Sequence, residues 1–276
     1  MAITASDVNK LRQQTGAGMM DCKNALVESN GDFEAAVDIL RKKGQKVAAK
    51  RGENEAKEGL VIADTADGGK TGYVLRLNCE TDFVAKNDSF RGFVDSLLKV
   101  AMDNKATSID SLKGMKFNDR LTVEEKITEQ VGVVGEKLDL SGYEVLTAEQ
   151  VVAYNHPGNQ LATLVALNKA SDSAEDAGKQ VAMQVAAMNP LSLSKEGIDK
   201  DTIARELEVG KDLAIQEGKP AEMAEKIAHG RLNKFFKENT LLSQEFIRDN
   251  KISVEEFVAS AESGLAVTDF KRLAMS

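Results

Sequence analysis

The sequence predicts an α+β protein with a small three-helix module at its N-terminus, a core of two related α+β subdomains with antiparallel sheets, and a projecting helical hairpin late in the chain. Three observations predict it. The first 44 residues carry three short helical patterns separated by glycine-containing turns, TGAG at Thr15–Gly18 and NGD at Asn30–Asp32. Twice after that, a strand pattern leads through a polar corner into an amphipathic helix. Between Ile198 and Phe236 the strands give way to two helical runs broken at EGKP. Residues 1–53 are read as the first module and its linker, 54–141 as the first core subdomain, and 142–276 as the second, with the hairpin at about 198–236.

In chain order, Thr4 and Asp7 form a capping-box pattern before Val8 and Leu11. Asp32 caps a third helix whose Phe33, Ala36, Val37 and Leu40 fall on one face, and Gly44 suits the residue after it. RKKGQKVAAKR, Arg41–Arg51, then reads as a solvated basic linker. GLVIAD and TGYVLRLNC flank DGGK, the signature of a hairpin, with Tyr73, Leu75, Leu77 and Cys79 on one face. Phe90, Phe93, Val94, Leu97, Leu98 and Ala101 follow helical spacing, with Asn87, Asp88 or Ser89 as the cap. A more charged helix is expected over Thr122–Gly132, then the strand LDLSGYEVL. The second half repeats the theme, with a strand over Gly158–Ala170 and a helix whose stripe is Val181, Val185 and Met188. In the hairpin, Ile203, Leu207, Gly210 and Ala214 line one arm and Met223, Ile227 and Leu232 the other, with Pro220 starting the second arm. So narrow a seam either closes on itself or finds a partner. Short β-like pieces end the chain near LAVTDFKRLAM.

Composition narrows the function classes. The 276 residues are 42% hydrophobic and 29% charged, ordinary for a globular chain, and no apolar run approaches the roughly 18–20 residues that span a bilayer. MAITASDVNK lacks the basic start and apolar middle of a signal peptide, and Cys22 and Cys79 are too few for a disulfide framework, so a reducing cytoplasm is expected. A net charge of −8 repels phosphate backbones, which argues against direct nucleic-acid binding and for a protein partner. His156 and His229 are the only histidines, and no zinc spacing, nucleophile elbow or dinucleotide fingerprint occurs. DGGKTG lacks the spacing and setting of a phosphate loop. No metal, cofactor or catalytic residue is expected.

Displayed corners remain. NCETDFVAKND, Asn78–Asp88, places Phe83 at a strand-to-helix junction in a chain with no Trp and 5% aromatics. Phe83 lies one heptad before Phe90, so the pattern leaves open whether it extends the core stripe or meets a partner. His156 in YNHPG reads as a turn residue. Met19 and Met20, beside TGAG, suit a core or an adaptable contact surface.

LRQQTGAGMMDCKNAL, Leu11–Leu26, and LNCETDFVAKND, Leu77–Asp88, resemble the signature segments of the bacterial elongation factor Ts family. The order of modules agrees along the whole chain. The resemblance implies an N-terminal domain similar to ubiquitin-associated domains, a two-part core and an inserted hairpin. It also implies guanine nucleotide exchange on the GTPase elongation factor Tu, without catalysis of a bond change. By the same resemblance, Thr81, Asp82, Phe83 and Val84 form the exchange corner, its Phe wedging near the partner's Mg²⁺ site. Leu11, Arg12, Met19, Met20 and Lys23 grip the GTPase domain. Val134, Gly135 and His156 are further contacts, and residues near Phe246 and Ile247 reach another partner domain. The hairpin is a candidate homodimer element. Arg76 departs from the family pattern, which commonly has Glu there. The alternative class is a ubiquitin-associated-like adaptor without exchange activity.

Overall fold

The structure, a computed structural model, describes residues 3–275. Helix α1 (Ala5–Thr15) opens on the Thr4–Asp7 capping box and stops at Gly16, whose φ of 75° closes the helix in the left-handed region. Helix α2 (Met19–Glu28) follows, then α3 (Phe33–Arg51), with Asp32 accepting from the amides of Glu34 and Ala35. Leu11, Cys22, Leu26 and Ala36 make the small core of this module.

Strands β1 (Glu58–Ala66) and β2 (Thr71–Cys79) form the expected hairpin, with Gly68 and Gly69 at positive φ in its turn. The chain then runs through α4 (Asp82–Ala85), α5 (Asp88–Asp103), α6 (Ile109–Gly114) and α7 (Val123–Val134) to β3 (Asp139–Thr147). Strand β3 spans residues 141 and 142 and pairs with β2, giving the order β1-β2-β3. Tyr73, Leu75, Leu77 and Cys79 face α5, whose Phe90, Val94, Leu97 and Leu98 complete the largest core.

The second half uses the same plan. Strands β4 (Gln150–Asn155) and β5 (Leu161–Leu167) form a hairpin, α8 (Asp172–Met188) returns over it, and the third strand again lies beside the second. Before that strand come α9 (Lys200–Gln216), α10 (Ala221–Asn239), the short pair β6 (Glu245–Phe246) and β7 (Asp249–Ser253), and α11 (Val254–Ala261). The third strand is β8 (Val267–Ala274), so the sheet order is β4-β5-β8. The two sheets share an apolar layer in which Val61, Val74, Ala162 and Leu164 are buried. Gly72 is required in that layer, because a Cβ there would lie 2.5 Å from Val151 Cγ1. Arg76 also joins the two halves, donating to Ser141 Oγ at 2.8 Å and to the carbonyl of Ala274 at 2.7 Å.

Several expectations need correction. Arg41–Arg51 is helix and not linker, and Gly44 is buried within α3 instead of ending it. The reason is α7: a Cβ on Gly132 would sit 2.5 Å from Gly44 Cα, so the two glycines let the helices meet backbone to backbone. Met188 does not continue the buried stripe of α8, which runs Ala174, Ala177, Val181, Val185. It is exposed at the helix end before Asn189, whose φ of 45° terminates the helix. In the hairpin the buried seam is Gly210 and Ala214 against Ala224, Ala228 and Leu232, while Met223 is exposed. Pro220 is the cap of α10, one residue earlier than expected. The short β-like pieces expected after the hairpin are β6, β7 and β8, whereas the short elements α6, β4 and α11 carry too few periods to be read from sequence.

The glycine contact is testable. Gly132→Val should destabilise the protein by about 1–3 kcal/mol through overpacking. Urea denaturation checks it; an unchanged midpoint would show that α3 and α7 do not meet there.

Candidate functional site

Strand β2 delivers the chain to the corner. Thr81 is in extended conformation and its hydroxyl caps α4, accepting from the amide of Val84 at 3.4 Å. Asp82 pairs with Lys86 one turn on at 2.6 Å, and this hydrogen bond holds the Asp82 carboxyl below the usual carboxylate range. Val84 packs on the main core and Ala85 is buried, so α4 is anchored on one side. Phe83 projects from the other side and is 83% exposed. A new cap at Asn87 separates α4 from α5, so Phe83 does not share the stripe of Phe90.

Two carboxylates hold the corner from behind. Glu136 accepts from the amides of Glu80 at 3.1 Å and Thr81 at 3.0 Å and from the Thr81 hydroxyl at 2.7 Å. Glu80 reciprocates, accepting from the amide of Lys137 at 2.6 Å, from Asn54 Nδ2 at 3.0 Å and from Arg51 Nη1 at 2.8 and 3.0 Å. Gly135 ends α7 with a φ of 78° and turns the chain so that Glu136 meets the corner. Val134 and Gly135 thus adjoin it directly. Lys137 Nζ donates to the carbonyls of Gly52 at 2.8 Å and Asn54 at 3.0 Å, tying down the segment after α3. Behind β2, burial pushes the Cys79 thiol up to about 12, and its Sγ donates to the carbonyl of Thr81 at 3.2 Å. It is a structural thiol.

The turn between β4 and β5 forms a second wall. Pro157 and Gly158, with φ 90° at the glycine, suit a type II turn in which the Asn159 amide donates to the His156 carbonyl at 2.9 Å. This turn covers the free edge of β1. Asn155 exchanges two 2.8 Å hydrogen bonds with the backbone of Ala63, the Val61 amide donates to the Asn159 carbonyl at 2.7 Å, and Gln160 Nε2 reaches the Gly59 carbonyl at 2.9 Å. His156 is exposed, with Tyr154 hydroxyl 3.0 Å from its Nδ1. A cleft lined by Asp82, Arg91 and Asn159 and a neighbouring one lined by His156, Arg91 and Asn159 join this turn to the corner.

The N-terminal module packs against α7 near its C-terminal end. A Cβ on Gly16 would lie 3.7 Å from Val133 of α7, beside Val134. Arg12 and Lys23 are exposed, as are Met19 at 50% and Met20 at 64%. Val27, also exposed and two turns beyond Met20 on α2, lies on the same helix face and was not foreseen; its spacing of seven was the available signal. Leu11 is a correction: it is fully buried in the module core and offers a partner nothing. Phe246 is another, since it is buried and stacks on Phe257 with ring centroids 4.0 Å apart, leaving Ile247 exposed. Glu80, Glu136 and Arg51 were also missed. Among the described residues no group of three or more His, Cys, Asp or Glu side chains could hold a metal ion, and no helix is long and apolar enough to cross a membrane.

By itself, this architecture defines an α+β protein whose distinguishing feature is a braced apolar corner and not an enclosed cleft. The family described as Elongation factor TS matches residues 80–276, starting at the corner itself. The chain is 51% identical over 274 residues to elongation factor Ts of Amoebophilus asiaticus, covering 99% of both chains. It is 49% identical to that of Christiangramia forsetii, over 99% of this chain and 98% of the relative, and 44% identical to that of Porphyromonas gingivalis, over 100% and 99%. The chain therefore belongs to the elongation factor Ts family and is an elongation factor of protein biosynthesis.

The Glu80 hub has a pH signature. Its carboxyl is held below the usual carboxylate range, chiefly by the Lys137 amide and then by Asn54 and Arg51. A depressed carboxylate contributes stability above its unfolded value and loses it as pH falls through the folded value. Glu80→Gln should therefore be less stable than the parent at about pH 7, and the gap should narrow below about pH 4.5. Urea midpoints across this range check it; a gap that widens in acid contradicts the assignment.

Proposed function

We propose that the chain is a guanine nucleotide exchange factor for elongation factor Tu, acting at the cytoplasmic site of protein synthesis without making or breaking a bond. The observation that carries the reading is Phe83: a ring 83% exposed on a corner whose backbone is capped by Thr81 and clamped by Glu136. An exposed ring on a stiff support can occupy space between partner side chains and shift an element by packing. In a P-loop GTPase the nucleotide is held by backbone amides, a Lys and Mg²⁺, so displacing that cradle speeds release. Coupling is reciprocal: a factor that weakens nucleotide binding is itself displaced by incoming nucleotide.

Asp82 and Val84 set the corner, and Val134, Gly135 and His156 extend the contact along the same surface. Arg12, Met19, Met20, Lys23 and Val27 give the N-terminal module a grip on the GTPase domain, and Ile247 a further contact. The exposed Met19, Met20 and Val27 also suit an adaptor lacking exchange activity, which binding by that module alone would favour. Val209, Leu213 and Met223 stay exposed on the hairpin, which we assign to assembly, including a homodimer, and not to exchange.

Phe83→Ala should slow GDP release from elongation factor Tu about tenfold or more, the loss expected for an interface anchor of about 2 kcal/mol. Stability should change by less than about 0.5 kcal/mol, because the ring leaves no cavity. Fluorescent-GDP release and thermal melting on one sample check both; normal release would remove the wedge. Replacing Ile198–Phe236 by a short Gly/Ser link should leave most exchange and abolish any dimer seen by sedimentation. Lost exchange in a folded variant would place the hairpin in the exchange machinery.

A further inference from the structure

Arg51 lies 29 residues before Glu80, on the last turn of α3, and is not among the partner contacts proposed above. Its guanidinium reaches across to the first residue after β2. Nη1 alone makes both hydrogen bonds to Glu80, at 2.8 and 3.0 Å, and the Glu80 carboxylate keeps only 15% of its side chain exposed. The same carboxylate caps the Lys137 amide, while Glu136 caps the Glu80 and Thr81 amides. Three segments distant in sequence therefore converge on the two residues that precede Asp82 and Phe83: the end of α3, the turn after α7, and the end of β2.

We infer that Arg51 is a positioning residue for exchange: by holding Glu80 it aims the Thr81–Val84 corner, so that Phe83 enters the partner in one orientation. The inference rests on the exchange reading proposed above. Arg51 contacts neither Phe83 nor the surface shared by the corner and the His156 turn, so its effect runs through Glu80. Removing its side chain leaves Glu80 bonded to the Lys137 amide and to Asn54, and leaves α3 packed on α7 at Gly44 and Gly132. The fold survives and the aim is lost. Because both contacts come from a single nitrogen, a lysine ammonium can replace them, which is untrue of a two-nitrogen fork.

The experiment uses the full chain with elongation factor Tu carrying fluorescent GDP, and reads release against factor concentration for the parent, Arg51→Ala and Arg51→Lys, with thermal melting of each. Arg51→Ala should lower the maximal release rate about tenfold, as slack in a contact site does, while half-saturation stays within about twofold. Arg51→Lys should restore at least half of the parent rate. A parent-like maximal rate for Arg51→Ala overturns the inference, as does equal impairment of both variants in step with their melting temperatures. A parent chain that fails to accelerate release overturns the exchange reading instead, which separates the two.

Discussion

The reciprocal capping between Glu80 and Glu136 is the constraint on which the corner depends. A strand that ends in a four-residue helix leaves amides with no partner in regular structure, and those of Glu80 and Thr81 are satisfied by a carboxylate 55 or 56 residues away. The donor of the return bond, the Lys137 amide, belongs to the residue beside that carboxylate. Neither loop can move without breaking charge-assisted hydrogen bonds of the other. A short exposed turn bearing a large aromatic ring would otherwise sample many orientations, and ordering it on contact would cost part of the binding energy.

The duplicated plan explains how two separate loops come to share one surface. Each half is a hairpin, a helix and a returning third strand, and the halves pack sheet to sheet. In the first half the junction after the second strand displays Phe83. In the second half the equivalent junction is closed: Ser171 caps α8 through the Ala174 amide and donates to Glu262 at 2.5 Å. There it is the hairpin turn that is displayed, laid against β1 so that the cleft lined by His156 adjoins the one lined by Asp82. The covered edge of β1 fixes the spacing of these two features through hydrogen bonds to the β1 backbone, most of them made by the Asn155 and Gln160 side chains, without relying on surface ion pairs.

How much of this was legible in the sequence differs by kind of signal. The β1–β2 hairpin, the caps at Thr4 and Asp32, a cap within Asn87–Ser89 and the stripe of α5 followed from local periodicity and turn chemistry, which act over a few residues. Phe83 stayed ambiguous because a spacing of seven from Phe90 is meaningful only within one helix, and the break at Asn87 resets the phase. Arg41–Arg51 read as linker because its charge suggests solvation, whereas its helix forms by packing Gly44 on Gly132, a contact 88 residues apart that no window contains. Leu11 and Phe246 carried contact roles by resemblance, yet both are buried, since a motif does not separate residues that touch a partner from those that hold the touching residues in place. Glu80 and Glu136 were invisible for a similar reason: an acidic residue in a loop at the end of a strand or helix reads as an ordinary solvated or capping group until its distant partner is known.

The central claim is that Phe83 stands exposed on a backbone as rigid as the core beneath it. Backbone ¹⁵N relaxation of the free protein tests it directly. Order parameters near about 0.85 at Thr81, Asp82, Phe83 and Val84, matching those of α5, are what a corner braced by Glu80 and Glu136 requires; values below about 0.6 there, with α5 rigid, would mean that the corner is a flexible loop and that the bracing does not exist in solution.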